Sequence, residues 1–146
     1  MSARPLALLP VALLAGAASA EEAAWSLLRD IEVTEIVTAD SYRAIKSYPA
    51  EIANGVERFD ITGFAVPTSD PTLPGGLVTS LILVSDMLTC PFCGLPGHAA
   101  ALEVVLDAPL AIEEGARITL RGALELNRDP ETWQAARLTG ATLAEP

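Results

Sequence analysis

Two stretches of strict alternation constrain the fold of this chain more than any other feature. Over 99–108, Leu102, Val104 and Leu106 fall on one side, with Glu103 and Asp107 on the other. Over 116–126, Ile118, Leu120, Leu124 and Leu126 oppose Arg117, Arg121 and Glu125. A period of two sends successive side chains to opposite faces of a strand, so each stretch predicts a strand with one buried face. Further strands are predicted over 31–37, 56–66 and 133–143. In the second of these Phe59 and Ile61 share a face, and Gly63 marks a bulge or a sharp bend. In the last, Gly140 marks a bulge. The run 77–85 is apolar on both faces, as a central strand would be. Pro49, Asn54-Gly55, the Pro/Gly-rich stretch 67–76 and the segment 127–130 punctuate these runs as turns and loops. Residues 21–30 read as a short helix with acidic residues in the first turn and Trp25 and Leu28 on one face. Segment 40–47 fits either a short helix or irregular structure. Five or six strands with few helices predict a mostly-β domain, a small antiparallel barrel or sandwich.

The start of the chain reads as an export signal. Arg4 is a short positive region, 6–18 is apolar or small throughout, and Ala18-Ser19-Ala20 is an A-x-A cleavage motif before Glu21-Glu22. The apolar run of about 13 residues is shorter than the ~20 needed to span a bilayer. No cysteine follows the motif to carry a lipid anchor. The expected organisation is a signal peptide over 1–20, cleaved after Ala20, and a single domain over 21–146, delivered to the periplasm with no membrane insertion after cleavage. The full chain carries a formal net charge of −10 at pH 7, and loss of Arg4 makes the mature domain one unit more negative. Such a domain repels phosphate backbones, so no nucleic acid is expected as a partner. A basic partner surface or cations are favoured. Solubility alone also accounts for the charge.

Both cysteines and the only histidine share one window, Cys90, Cys93 and His98, in a Pro/Gly-rich loop. Three readings are open. As a metal site, the Cys-x-x-Cys spacing lets both sulfurs reach one ion at about 2.3 Å, and His98 adds an imidazole. Asp86 is a candidate fourth ligand, or Met87 for cuprous copper. As a redox site the loop lacks the helix that would start at a thioredoxin-type cysteine, because Gly94, Pro96 and Gly97 follow. As a structural element, Cys90 and Cys93 form a disulfide that staples a loop between two strands. Catalytic constellations are weak elsewhere. Glu113, Glu114, Asp129 and Glu131 read as solvated carboxylates without a partner histidine, and Gly75-Gly76 has neither Walker nor dinucleotide spacing. Trp25 and Trp133 read as core residues.

The order of features also carries a resemblance. An N-terminal Trp25 precedes Gly63-Phe64-Ala65-Val66-Pro67, then Leu81-Ile82-Leu83-Val84 runs into a cysteine loop containing Pro96. Leu102-Glu103-Val104-Val105 and Ile118-Thr119-Leu120-Arg121-Gly122-Ala123-Leu124 follow. Over most of 25–143 this resembles a family of small exported bacterial proteins of unknown function, related to OB-fold-like barrels. Its members are often encoded beside ABC transporters of the lipoprotein-release or macrolide-exporter type, in gene clusters that are in some cases zinc-regulated. The resemblance implies a five- or six-stranded antiparallel OB-like barrel with a short N-terminal helix. It also implies association with a transporter and no established reaction. The expected function is a non-enzymatic periplasmic accessory of an ABC transport system, binding or relaying zinc first and copper second through Cys90, Cys93 and His98. Its partner would be the periplasmic part of the transporter or another metal-handling protein. The alternative is a protein-interaction module with a Cys90–Cys93 disulfide and no metal.

Overall fold

The computed structural model of the protein describes residues 15–68, 73–87 and 100–145. Helix α1 (Ala15–Arg29) is followed by β1 (Glu32–Val37), β2 (Tyr42–Ser47), β3 (Val56–Pro67), β4 (Leu77–Val84), β5 (Ala101–Ala111), β6 (Arg117–Leu126) and β7 (Ala136–Leu143). Strands β3 to β7 close into a barrel in the order β3-β4-β5-β7-β6, while β1 and β2 form a separate two-stranded ribbon. Four of the barrel pairings are antiparallel, and β5 pairs with β7 in parallel. The barrel is therefore mixed, and it is OB-like.

The alternation seen in the sequence builds the core. Leu102, Val104 and Leu106 of β5 and Leu120 and Leu124 of β6 are buried, together with Phe59, Ile61, Leu81, Leu83 and Leu138. Ile118 and Leu126 pack against this core from its margin. Gly140 adopts φ 57°. At that point the β6–β7 register slips by one, from Ala123 opposite Thr139 to Arg121 opposite Thr142, so the expected bulge is present and uses the conformation that favours glycine.

Gly63 has a different reason. The register slip in β3 falls between Val56 and Phe59, and Gly63 pairs regularly with Ile118. A Cβ on Gly63 would stand 2.9 Å from Trp25 Cζ2 and 2.7 Å from Val84 O. The missing side chain makes room for the indole of α1. Trp25 is 2% exposed, and its Nε1 donates to Thr62 O at 2.7 Å. One buried tryptophan thus locks the helix onto the barrel while satisfying its own polar atom.

Segment 40–47 is neither helix nor irregular, since most of it is β2. The ribbon is exposed on most of both faces, so no burial rhythm marked it in the sequence. The last strand begins at Ala136, three residues later than the alternation suggested. Trp133 therefore lies in the preceding loop, 64% exposed, which corrects its reading as a core residue.

Helix α1 runs through the expected cleavage point. The helix just after it is tied to the barrel, because Glu21 pairs with Arg117 of β6. Cleavage after Ala20 would leave Glu21 and Glu22 at the new helix N-terminus, where the helix dipole favours negative charge. The exported protein is expected to have the intact mass of 21–146. A measured mass that retains 1–20 would reject the signal-peptide reading.

Candidate functional site

A groove of about 380 Å³ lies across one wall of the barrel. Its floor is Ile82 of β4 with Leu102 and Glu103 of β5. Its sides are Leu28 and Val33, facing Trp133 and Gln134 of the β6–β7 loop. In the barrel's own strand order these are the second and third strands and the loop between the fourth and fifth. OB-type barrels bind their ligands at that place.

The β6–β7 loop is held by hydrogen bonds from within and from the ribbon. Asn127 N–H donates to Ala135 O at 2.8 Å, closing its base. Asn127, Asp129 and Thr132 each accept from the backbone N–H two residues on, the local turn chemistry of these side chains. From the ribbon, the Lys46 ammonium donates to Asn127 O at 2.9 Å, Asp129 O at 2.8 Å and Gln134 O at 2.7 Å. An ammonium has three donors and no acceptor, so Lys46 is fully satisfied. Burial pushes its pKa down, and the charge of Asp129 opposes that. The Tyr48 hydroxyl reaches Asn127 O at 2.7 Å. Arg128 stacks 5.0 Å over the Tyr48 ring and donates to Ala53 O at 2.6 Å. Ala44 N–H donates to Pro130 O at 2.8 Å, and Gln134 Nε2 donates to Glu103 Oε2 on the groove floor.

This scaffold holds Trp133 out in water at the lip of the groove. An exposed indole on a restrained loop loses little conformational freedom when a partner covers it. The sequence reading missed Lys46, Tyr48 and Gln134. One signal was present, since Lys46 is the only lysine among eight arginines. A compact three-donor group suits converging carbonyls better than a planar guanidinium does. Replacing Lys46 with alanine should cost about 1–3 kcal/mol, because the Asp129 and Gln134 carbonyls lose the ammonium donor and Asn127 O keeps only Tyr48. Amine-selective acetylation of native protein is expected to spare Lys46 and to modify it after unfolding. Equal labelling in both states would mean that the three contacts are not maintained.

Cys90, Cys93 and His98 lie outside the described residues. The strand ends that carry their loop are described. Ser85 N–H donates to Ala100 O, and Ala100 N–H donates back to Ser85 Oγ, both at 3.0 Å. Ser85 and Ala100 thus form a closed base between β4 and β5, next to Ala101 on the groove wall. Asp86 is half-buried. Met87 is 45% exposed, with its methyl 3.8 Å from where a Cβ on Gly115 would sit. Among the described residues no three His, Cys, Asp or Glu side chains converge as a metal cluster. Glu113, Glu114, Asp129 and Glu131 are exposed, as expected. The chain matches no family model, no curated protein and no solved structure.

A second concavity of about 590 Å³ lies between 53–57 and 123–128. It is wider and shallower, and no aromatic side chain lines it. On the ribbon, the Tyr42 hydroxyl donates to Glu35 Oε1 at 2.6 Å. This bond pushes the Tyr42 pKa up to about 12 and fixes the Glu35 carboxylate on the ribbon.

Proposed function

We propose that this chain is a non-enzymatic, exported binding module that docks a protein partner on the groove beside Trp133. One observation carries the reading: a large aromatic side chain is held in solvent by a loop, three of whose backbone carbonyls are bound by the Lys46 ammonium. Aromatic anchors beside partly apolar grooves dominate many protein interfaces. The resemblance to exported proteins encoded beside ABC transporters supplies the partner, the periplasmic part of such a transporter. The export motif ending at Ala20 supports a periplasmic location.

Metal handling is the second reading, favoured by the three soft ligands Cys90, Cys93 and His98 in one loop. Zinc is the first choice and copper the second. The two readings are compatible, since Ala101, close after His98 in the sequence, lines the groove.

Tryptophan fluorescence tests the docking. Trp25 is buried and Trp133 exposed, so iodide should quench mainly Trp133. Adding the purified periplasmic domain of the transporter should shield that emission, and a Trp133→Phe variant should show no such change. Unchanged quenching of the wild type would reject the groove as the docking site.

A further inference from the structure

The ribbon that braces the β6–β7 loop has an open side. β1 pairs only with β2. Ala44 of β2 turns its N–H away from β1 to reach Pro130 O, so Glu35 and Ala44 form a non-hydrogen-bonded pair of the antiparallel ladder. Alternation then points the backbone N–H and C=O groups of Val33, Glu35 and Val37 away from β2. Among the described residues no backbone hydrogen bond from outside the ribbon reaches that edge. All six β1 residues are exposed, Val37 to 71% and Ile36 to 45%. Open edges are commonly protected by charged side chains, above all lysine, by proline, by a bulge or by a covering element. β1 carries Glu32 and Glu35 but no lysine or proline, and its register with β2 is unbroken.

The charge around this edge is one-sided. Asp30, Glu32, Glu35 and Asp40 fall between Arg29 and Arg43 with no cation among them. Elsewhere the cations are largely engaged. Arg29, Arg117, Arg121 and Arg137 are in ion pairs, and Lys46 and Arg128 donate to backbone carbonyls. A second copy of the chain is a poor occupant, because it would join two molecules of net charge −10. An extended basic segment fits instead.

We propose, building on the binding-module reading, that the free edge of β1 accepts an extended partner segment alternating cationic with aliphatic residues, added as a third strand. Main-chain bonds to Val33, Glu35 and Val37 hold it, as in other cases of strand addition. Val33 forms part of the groove wall, so the residue beside it directs its side chain to the groove near Trp133. Val33 and Glu35 share that face of β1, so the cationic positions fall on the opposite face, beside Glu32.

The test uses the mature chain with a synthetic peptide of alternating lysine and valine, about eight residues long to match an ordinary strand. A peptide with glutamate in place of lysine is the control. Amide hydrogen exchange by NMR should slow at Val33, Glu35 and Val37 with the first peptide and not with the second. Glu35→Pro removes an outward N–H while leaving the bonds to β2, and should weaken the lysine peptide about tenfold. The Glu32→Gln variant should weaken it several-fold and flatten the salt dependence, which keeps the test valid if the proline disturbs the ribbon. Equal binding of the two peptides, or slowed exchange away from β1, would overturn the proposal. So would a peptide-free dimer protected at the same three amides. If β1 stays unprotected while the transporter domain still shields Trp133, only this inference falls.

Discussion

Trp25→Ala is expected to destabilise the protein by about 3–5 kcal/mol, the usual cost of emptying a buried aromatic site. That is a large share of the roughly 5–15 kcal/mol that holds a typical domain folded. Trp25 is the largest fully buried side chain of α1 and stands in the same apolar cluster as Ile61, Leu83 and Leu120. Its loss removes the main apolar anchor of the helix and leaves Thr62 O without the indole donor. Urea unfolding should show a lowered midpoint, and α1 should fray before the barrel melts. Gly63→Ala approaches the same joint from the other side. Its new Cβ would meet Val84 O, Leu83 Cγ and Trp25 Cζ2, all within 2.9 Å, at a cost of about 1–3 kcal/mol. Because both changes act on one contact, the double variant should lose less than the two single losses combined. A Trp25→Ala cost below about 1 kcal/mol would make α1 a peripheral element.

Replacing Cys90 and Cys93 together with serine is expected to abolish tight zinc binding by the reduced protein. The change leaves one imidazole where two thiolates and an imidazole stood, and zinc sites need at least three protein ligands. His98→Ala should weaken binding by a smaller factor, since water or Asp86 is able to fill one position. Affinity should fall as pH drops, because protons compete with the ion for thiolate and imidazole. A Cys90–Cys93 disulfide predicts none of this. Elemental analysis with free-thiol counting on protein taken from the periplasm separates the two states. About one equivalent of metal with two free thiols supports the metal reading. Equal, weak zinc binding by reduced wild type and by the double serine variant would reject it and leave the docking reading in place.

The barrel was legible where one face of a strand is buried and the other wet. Leu102, Val104 and Leu106 announced β5, and Leu120 and Leu124 announced β6, because burial writes a period of two into the sequence. The β1–β2 ribbon was only half legible. Its β-branched first strand was recognisable, while Tyr42–Ser47 buries a single residue, Ala44, and so carries no rhythm. Gly63 shows a further limit. A glycine in a strand signals that something comes close, but only the fold shows that the neighbour is an indole from 38 residues earlier in the chain. Trp133 was misread because aromatic residues are usually buried, and nothing local tells a loop tryptophan from a strand one. The loop that displays it is held by Lys46 and Tyr48, about 80 residues away in sequence. Such long-range carbonyl capping leaves no pattern in one sequence apart from the solitary lysine.

Site-specific photo-crosslinking in the periplasm tests the docking face most directly. A benzophenone side chain placed at position 133 should capture the periplasmic part of an ABC transporter, identified by mass spectrometry. The same group at position 57, in the second concavity, should not. Capture of the transporter from position 57 with none from position 133 would contradict the assignment of the Trp133 groove as the recognition surface.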